Sequence, residues 1–373
     1  MQIAPFKVEQ WMNAWETRCT YNLAETCVHS LTLEALLALA GQNQPDLNTL
    51  LPMKMTYGDI EGSDRLRAGI AALYAGAQPA QVTVTHGTIA ANMLVHKALV
   101  SAGDRVIAIV PSYQQHYSIP DSIGADVHLL PLRAEDGFLP DLDRLRALAV
   151  PGTRLIALTN PNNPTGALIP QAMLEETAQI AEGAGAYVLC DEVYRGTAQS
   201  GDGMSPSMAD LYRRGISTGG LSKAFSLAGL RVGWAVASDE VTERLLIHRD
   251  YDTIAVGRLN DHLAALALEA ADRILARSRA ITRTNLALVD AFVAAQPRLD
   301  WVRPQAGTTG MLRLETAQTD RAFCLDLLDK TGVMLTPGDA FEMPGYARIG
   351  FANPEPDLRA GLAALGDYLA HAD

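Results

Sequence analysis

Residues 153–191 read TRLIALTNPNNPTGALIPQAMLEETAQIAEGAGAYVLCD, and the order of apolar runs in this stretch decides the fold. Residues 153–159 form a short apolar run of the kind a fully buried strand makes. Residues 170–184 carry apolar positions at helical spacing, and residues 187–191 are a second buried-strand run. Strand, helix, strand predicts a crossover unit in a parallel sheet. The same rhythm extends upstream, with a helix over 88–101, a strand over 104–110 and a helix near 139–149. The repetition predicts an α/β fold: a three-layer α/β/α domain whose sheet is mainly parallel (mixed), with helices on both faces. Ligands in such sheets bind at the carboxyl ends of the strands.

After residue 258 the rhythm changes. A long helical stretch from Asp261 to Ala295 precedes short strands at 310–315, 332–336 and 346–351, then a final helix from 355. This predicts a smaller α+β domain. The expected division is residues 1–45 as an N-terminal segment packing with the small domain or the active site, 46–260 as the large domain and 261–373 as the small one.

The 373 residues are 48% hydrophobic and 19% charged, a globular composition. Net charge is −12 and there is no basic patch, which argues against a nucleic-acid partner. No apolar run approaches the roughly 18 residues of a membrane span. The N-terminus lacks a basic-then-apolar leader, so the expectation is a cytoplasmic protein with no membrane partner. Cys19, Cys27, Cys190 and Cys324 are scattered without a C-x-x-C pair, so neither a disulfide framework nor a metal site is expected.

Four stretches carry chemistry. Thr85-His86-Gly87-Thr88-Ile89 sets a glycine turn before a helix, which offers N–H donors and a hydroxyl to a phosphate; an ordinary helix cap has the same signature. Asn160-Pro161-Asn162-Asn163-Pro164-Thr165-Gly166 makes a stiff turn that fixes an Asn side chain at a strand end. Asp191, closing an apolar strand, needs a cationic partner or a capping role. Lys223 sits among small residues in Gly219-Gly220-Leu221-Ser222-Lys223, with Arg231 eight positions on. Desolvation and a nearby cation are expected to lower the Lys223 pKa and make it a nucleophile toward an aldehyde.

In this order and spacing, Tyr57…Gly62, His86-Gly87-Thr88, Asn163-Pro164-Thr165-Gly166, Asp191…Tyr194 and Ser222-Lys223…Arg231, ending with Pro337-Gly338 and Arg348, resemble the fold-type-I pyridoxal-5′-phosphate (PLP) enzymes of the class I/II aminotransferase family. The resemblance covers nearly the whole chain. It implies that Lys223 holds PLP as a Schiff base and that Asp191 keeps the pyridinium protonated. Asn163 and Tyr194 would hydrogen-bond the ring's phenolic oxygen, and Tyr113 would stack on its face. Gly87, Thr88, Ser222 and Arg231 would hold the phosphate, and Tyr57 would reach the phosphate of a neighbouring subunit in a homodimer with shared sites. Arg348 would bind the substrate α-carboxylate bidentately. Gly220 stands where some relatives have serine. The implied activity is amino transfer between amino acids and keto acids.

The N-terminal stretch, Trp15-Glu16 and then Tyr21-Asn22-Leu23-Ala24-Glu25, resembles the branch that includes capreomycidine synthase and the PLP-dependent arginine oxidases. Carried over, Glu16 and Glu25 would face a guanidinium, which favours a planar carboxylate partner. Glu16 on a solvated helix face and Glu25 paired with a protein arginine are the alternatives. The resemblance thus favours arginine or another basic amino acid. It leaves elimination, replacement or cyclisation on an arginine derivative beside transamination. A non-catalytic PLP-binding regulator fits less well, because Lys223 and Asp191 are both present.

Overall fold

The structure, a computed structural model, describes residues 2–41 and 50–371. The expected boundary at residue 45 lies outside the described residues. Strand β1 (Tyr21–Asn22) precedes the seven strands of the large sheet: β2 (Val82–Thr85), β3 (Arg105–Val110), β4 (Asp126–Pro131), β5 (Thr153–Thr159), β6 (Tyr187–Asp191), β7 (Gly215–Gly220) and β8 (Gly233–Val236). Their order across the sheet is β2-β8-β7-β6-β5-β3-β4. Five neighbours, from β7 to β4, run parallel, and β8 runs antiparallel to both β7 and β2. The sheet is mixed, as expected.

Alternation along the strands explains the three layers, since successive side chains leave a strand on opposite faces. Val106, Leu155, Leu189 and Ile216 pack against the helix Thr88–Leu99 on one face. Ile107, Ile156, Val188 and Cys190 pack on the other against Leu174, Ala178 and Ala181 of the helix Gln171–Ala184. Both faces of these strands are covered, which is why they read as unbroken apolar runs.

Strands β9 (Leu299–Trp301), β10 (Thr309–Leu314), β12 (Thr336–Pro337) and β13 (Tyr346–Gly350) form an antiparallel sheet in the order β12-β13-β10-β9. The strand expected over 332–336 is in fact two. β11 (Val333–Met334) pairs in parallel with β1, and β12 turns away to pair with β13. The N-terminal segment packs here: Trp11 and Leu23 share a core with Leu312, Phe323, Ile349 and Leu362.

The long helical stretch breaks at Ala270 into Arg258–Glu269 and Ala271–Ala294. Leu263, Leu266, Ile274 and Leu275 bury with Leu66, Ile70 and Trp234 of the large-sheet side, whereas Leu286, Val289 and Val293 bury with the small sheet. We propose that the division between the two units falls inside the second of these helices, and not before residue 261. The four cysteines are free. Among the described residues, no helix is long and apolar enough to cross a membrane.

Glu192 lies in this core, 3% exposed, and Oε1 accepts from Ser217 Oγ at 2.6 Å and Met208 N at 2.8 Å. Burial pushes its pKa up to about 7 from an ordinary 4.5, against the opposing pull of Arg195 and these hydrogen bonds. Unfolded, the group ionises near 4.5; folded, it stays protonated until about pH 7. Stability therefore falls as pH rises through that window, by about 3 kcal/mol, and stays lower above it. Glu192→Gln has no proton to lose. Its stability relative to wild type should climb by about that amount between pH 4.5 and 7.5 in denaturant titrations. A pH-independent difference would refute the assignment.

Candidate active site

The strand ends converge. β5 ends at Thr159 beside the end of β6 at Asp191, and Asp191 registers with Thr218 of β7. The loops that follow supply Asn163, Tyr194, Ser222 and Lys223 to one cavity of about 340 Å³. Thr88, Tyr113, Arg231 and Arg348 also line it, as do Glu16 and Glu25. Nearly all the residues expected at the site are thus brought together. Gly87 sits behind the lining, against Arg231, and Tyr57 lies outside the cavity, 71% exposed.

One end of the cavity is built for an anion. Gly87, at φ 77°, starts the helix Thr88–Leu99, whose first N–H groups lack intrahelical acceptors. A Cβ on Gly87 would press on the Arg231 guanidinium, and one on Gly220 would overlap the Thr88 hydroxyl. The absence of serine at position 220 therefore makes room for Thr88. Arg231 Nη1 donates to Ser222 Oγ at 3.3 Å, and Arg231 itself adopts a left-handed conformation, φ 51°. Backbone strain of this kind persists where the surroundings impose it, and it concentrates at binding sites. The Thr88 hydroxyl is buried without a hydrogen-bond partner.

The middle of the cavity is built for a cation. Asp191 is 4% exposed; Oδ2 accepts from Asn92 Nδ2 at 2.7 Å and Oδ1 from Val193 N at 3.0 Å. Burial raises its pKa, while Asn92, Val193 N–H and the charge of Lys223 pull the other way. His116 Nε2 lies 3.9 Å from Asp191 Oδ2. Burial pushes His116 down to about 4, so it is neutral at pH 7 and gives Asp191 no counter-charge. The Tyr194 hydroxyl is also buried without a partner.

Opposite lies Arg348, 2% exposed. It donates to Asn163 Oδ1 at 3.2 Å, Ala24 O at 3.1 Å and Thr336 Oγ1 at 3.3 Å, while its Nε is unpartnered. The Asn160–Gly166 turn is braced by Asn162, which donates to Pro111 O at 3.1 Å and accepts from Thr165 Oγ1 at 2.7 Å.

Lys223 corrects an expectation. Burial does work against its charge, but Cys27, Tyr194 and Glu25 around it prevail and hold its pKa above the ordinary lysine value. Ligand-free, it is an ammonium. Glu25 moves the opposite way: burial opposes its charge, yet Lys223 and the N–H groups of Thr26 and Cys27, both 2.7 Å from Oε1, keep its pKa low.

Motif reading missed Asn92 and Glu9. Asn92 is a polar residue one turn after Thr88 on the buried face of this helix, a usable signal. Glu9 and Glu16 lie on one face of the N-terminal helix Lys7–Trp15 and its cap, spaced i, i+7. Glu9 lines the cavity, and its Oε1 accepts from the Tyr113 hydroxyl at 2.6 Å. Three carboxylates, Glu9, Glu16 and Glu25, therefore border a cavity that holds Lys223 and Arg348. Among the described residues no cluster is placed to hold a metal ion.

The groups in this cavity fit PLP: a helix start with an unpartnered hydroxyl and an arginine for its phosphate, a buried carboxylate for its ring nitrogen, a tyrosine hydroxyl for its phenolic oxygen and an amine for its aldehyde.

The profile of the family "aminotransferase class I and II" matches residues 38–365. Capreomycidine synthase of Streptomyces vinaceus is 34% identical over 97% of this chain and 93% of its own. Arginine–pyruvate transaminase AruH of Pseudomonas aeruginosa is 30% identical over 85% of this chain and 83% of its own. The crystal structure of a PLP-dependent aminotransferase from Streptococcus suis superposes with a TM-score of 0.97 at 41% identity, covering 100% of this chain and 99% of that one.

The Tyr113–Glu9 bond ties the N-terminal helix to the large sheet. Tyr113→Phe should raise amide exchange over residues 7–15 about fivefold, from the loss of ~1 kcal/mol. Hydrogen-exchange mass spectrometry checks this; unchanged protection would mean the bond holds nothing in place.

Proposed function

Since the chain belongs to the class I and II aminotransferase family and is PLP-dependent, we propose that it moves the amino group of an L-amino acid with a basic, guanidino side chain to a keto acid. The observation that carries the substrate class is the trio Glu9, Glu16 and Glu25 bordering the cavity. A carboxylate pairs with a guanidinium through two parallel hydrogen bonds, and neighbouring carboxylates exclude acidic side chains. The arginine–pyruvate transaminase at 30% identity supports the same reading.

Bound PLP supplies an aldehyde and a cationic ring that takes up the electron pair of the broken Cα–H bond. The rest falls to the protein. Lys223 holds the cofactor covalently and, once it is released and has given one ammonium proton up to solvent, its Nζ takes the α-proton. Asp191 keeps the ring nitrogen protonated, and its burial makes that charge pairing strong. Asn163 and Tyr194 hold the phenolic oxygen, and Tyr113 covers the ring. Gly87, Thr88, Ser222 and Arg231 hold the phosphate. Arg348, already fixed by Asn163, Ala24 and Thr336, receives the substrate carboxylate.

A second reading, cyclisation on an arginine derivative, is favoured by the greater identity to capreomycidine synthase. Both readings share the α-proton abstraction. Incubating the holoenzyme with pyruvate and either arginine or an arginine derivative that carries a leaving group on Cβ separates them: alanine formation supports amino transfer, and a cyclic product formed from the derivative with loss of that group and without alanine supports cyclisation. Lys223→Ala should abolish either. Glu25→Gln removes a charge beside Lys223 for every substrate, so the test is the difference: KM for arginine should rise at least about tenfold more than KM for alanine, since only arginine brings a side-chain charge to that wall. Equal effects on both would remove the basic-substrate reading.

The shared-site homodimer is supported by a run of exposed apolar side chains around Tyr57. Leu51 is 82%, Met55 78% and Tyr57 itself 71% exposed. Patches of this kind commonly mark interfaces, and in such a dimer Tyr57 would reach a partner's phosphate. Light scattering should give twice the 40.0 kDa chain mass at micromolar concentration. A monomer that turns over at full rate would sink the shared-site reading.

A further inference from the structure

The segment Leu23–Val28 is threaded between two parts of the site. On one side Gly350 N donates to Leu23 O at 2.7 Å and Thr308 Oγ1 to Thr26 O at 2.7 Å. A Cβ on Gly350 would overlap Glu25 O, so the approach admits no larger residue. On the other side Val28 N donates to Lys223 O at 3.4 Å. Held from both sides, Thr26 places its hydroxyl 2.5 Å from Lys223 Nζ, and Cys27 Sγ stands at 3.4 Å. Thr26 also lies against the buried Tyr194 hydroxyl.

A partly buried ammonium has three donors to satisfy, and each one left unmade is costly. Among the described residues, the side chains of Thr26 and Cys27 are the acceptors Lys223 Nζ uses. Neither belongs to the sheet-end motifs that hold the cofactor. We propose that Thr26 is a positioning residue: its hydroxyl, seconded by the Cys27 thiol, receives the Lys223 ammonium whenever the lysine is free of the cofactor. This rests on the reading that Lys223 holds PLP covalently.

The consequence concerns exchange of amines at the cofactor aldehyde. The C=N bond to Lys223 breaks as a C=N bond to the incoming amine forms. The three hydrogens and the positive charge of the incoming ammonium end on Lys223 Nζ. Thr26 stabilises only the released side of this exchange, and so favours entry of the substrate. A hydroxyl suits the task because it accepts from the ammonium and keeps a proton to donate elsewhere.

The test is a titration of holoenzyme with methylamine, which displaces the lysine without needing Arg348 or the acidic wall. The readout is the absorbance of the bound chromophore, in a buffer where the two C=N species differ in protonation. Thr26→Val should raise the half-conversion concentration about tenfold, or about 1.4 kcal/mol. Thr26→Ser, which restores the hydroxyl, should stay within about twofold of wild type. A Thr26→Val titration matching wild type overturns the proposal, as does a Thr26→Ser shift equal to that of Thr26→Val. If Thr26→Val does not fold by thermal unfolding, Thr26→Cys takes its place, and a shift under about threefold counts against the proposal. Wild-type protein with no borohydride-reducible chromophore would instead remove the parent reading of Lys223.

Discussion

A carboxylate taken out of water at the end of a central strand is the constraint around which the site is arranged. Asp191 has its oxygens occupied by Asn92 and a backbone N–H, which orient it but bring no charge. Its near neighbour His116 is neutral. Apart from the Lys223 ammonium, whose charge favours its ionised form, this buried anion has no cationic neighbour, and a cation on the ligand would pair with it directly. The placement of β6 between β5 and β7, two parallel neighbours, delivers that anion to the point where the Asn160–Gly166 turn and the Lys223 loop also emerge. The parallel core of the sheet is thereby tied to its chemistry: parallel neighbours put successive carboxyl ends on one edge.

The N-terminal segment completes what the sheet begins. It has its own core with the small sheet through Trp11 and Leu23, and a strand pairing between β1 and β11. From there it extends Glu9 to Tyr113 and Thr26 to Lys223. The cavity thus has two sources, strand ends that present cofactor groups and a separately anchored segment that presents acidic and hydroxyl groups.

How much of this was readable in the sequence follows the range of the interactions. β5 and β6 are read to the residue because both faces of each are covered, so an unbroken apolar run (Leu155 to Leu158, Tyr187 to Cys190) fills their centres. β8 escaped because four residues, Gly-Trp-Ala-Val, give no period, and its antiparallel insertion between β7 and β2 is settled by packing far along the chain. Lys223, Asp191, Asn163 and Arg231 sit in local motifs whose turns and glycines are themselves signals. Glu9 and Thr26 carry no such mark. Their partners lie 104 and 197 positions away, and nothing in the neighbouring residues announces them. The raised Lys223 pKa was missed for the same reason, since the groups that outweigh its burial come from residues 25, 27 and 194.

Gly350 draws these threads to one atom pair. It closes β13 two residues after Arg348, and its backbone carries the chain stretch that holds Glu25 and Thr26. Arg348, the proposed anchor for a substrate carboxylate, and Glu25, the proposed wall for its side chain, are therefore set by a single strand terminus. Any rigid movement of that terminus shifts both together, so the span between them acts as a fixed ruler for the length of the molecule admitted.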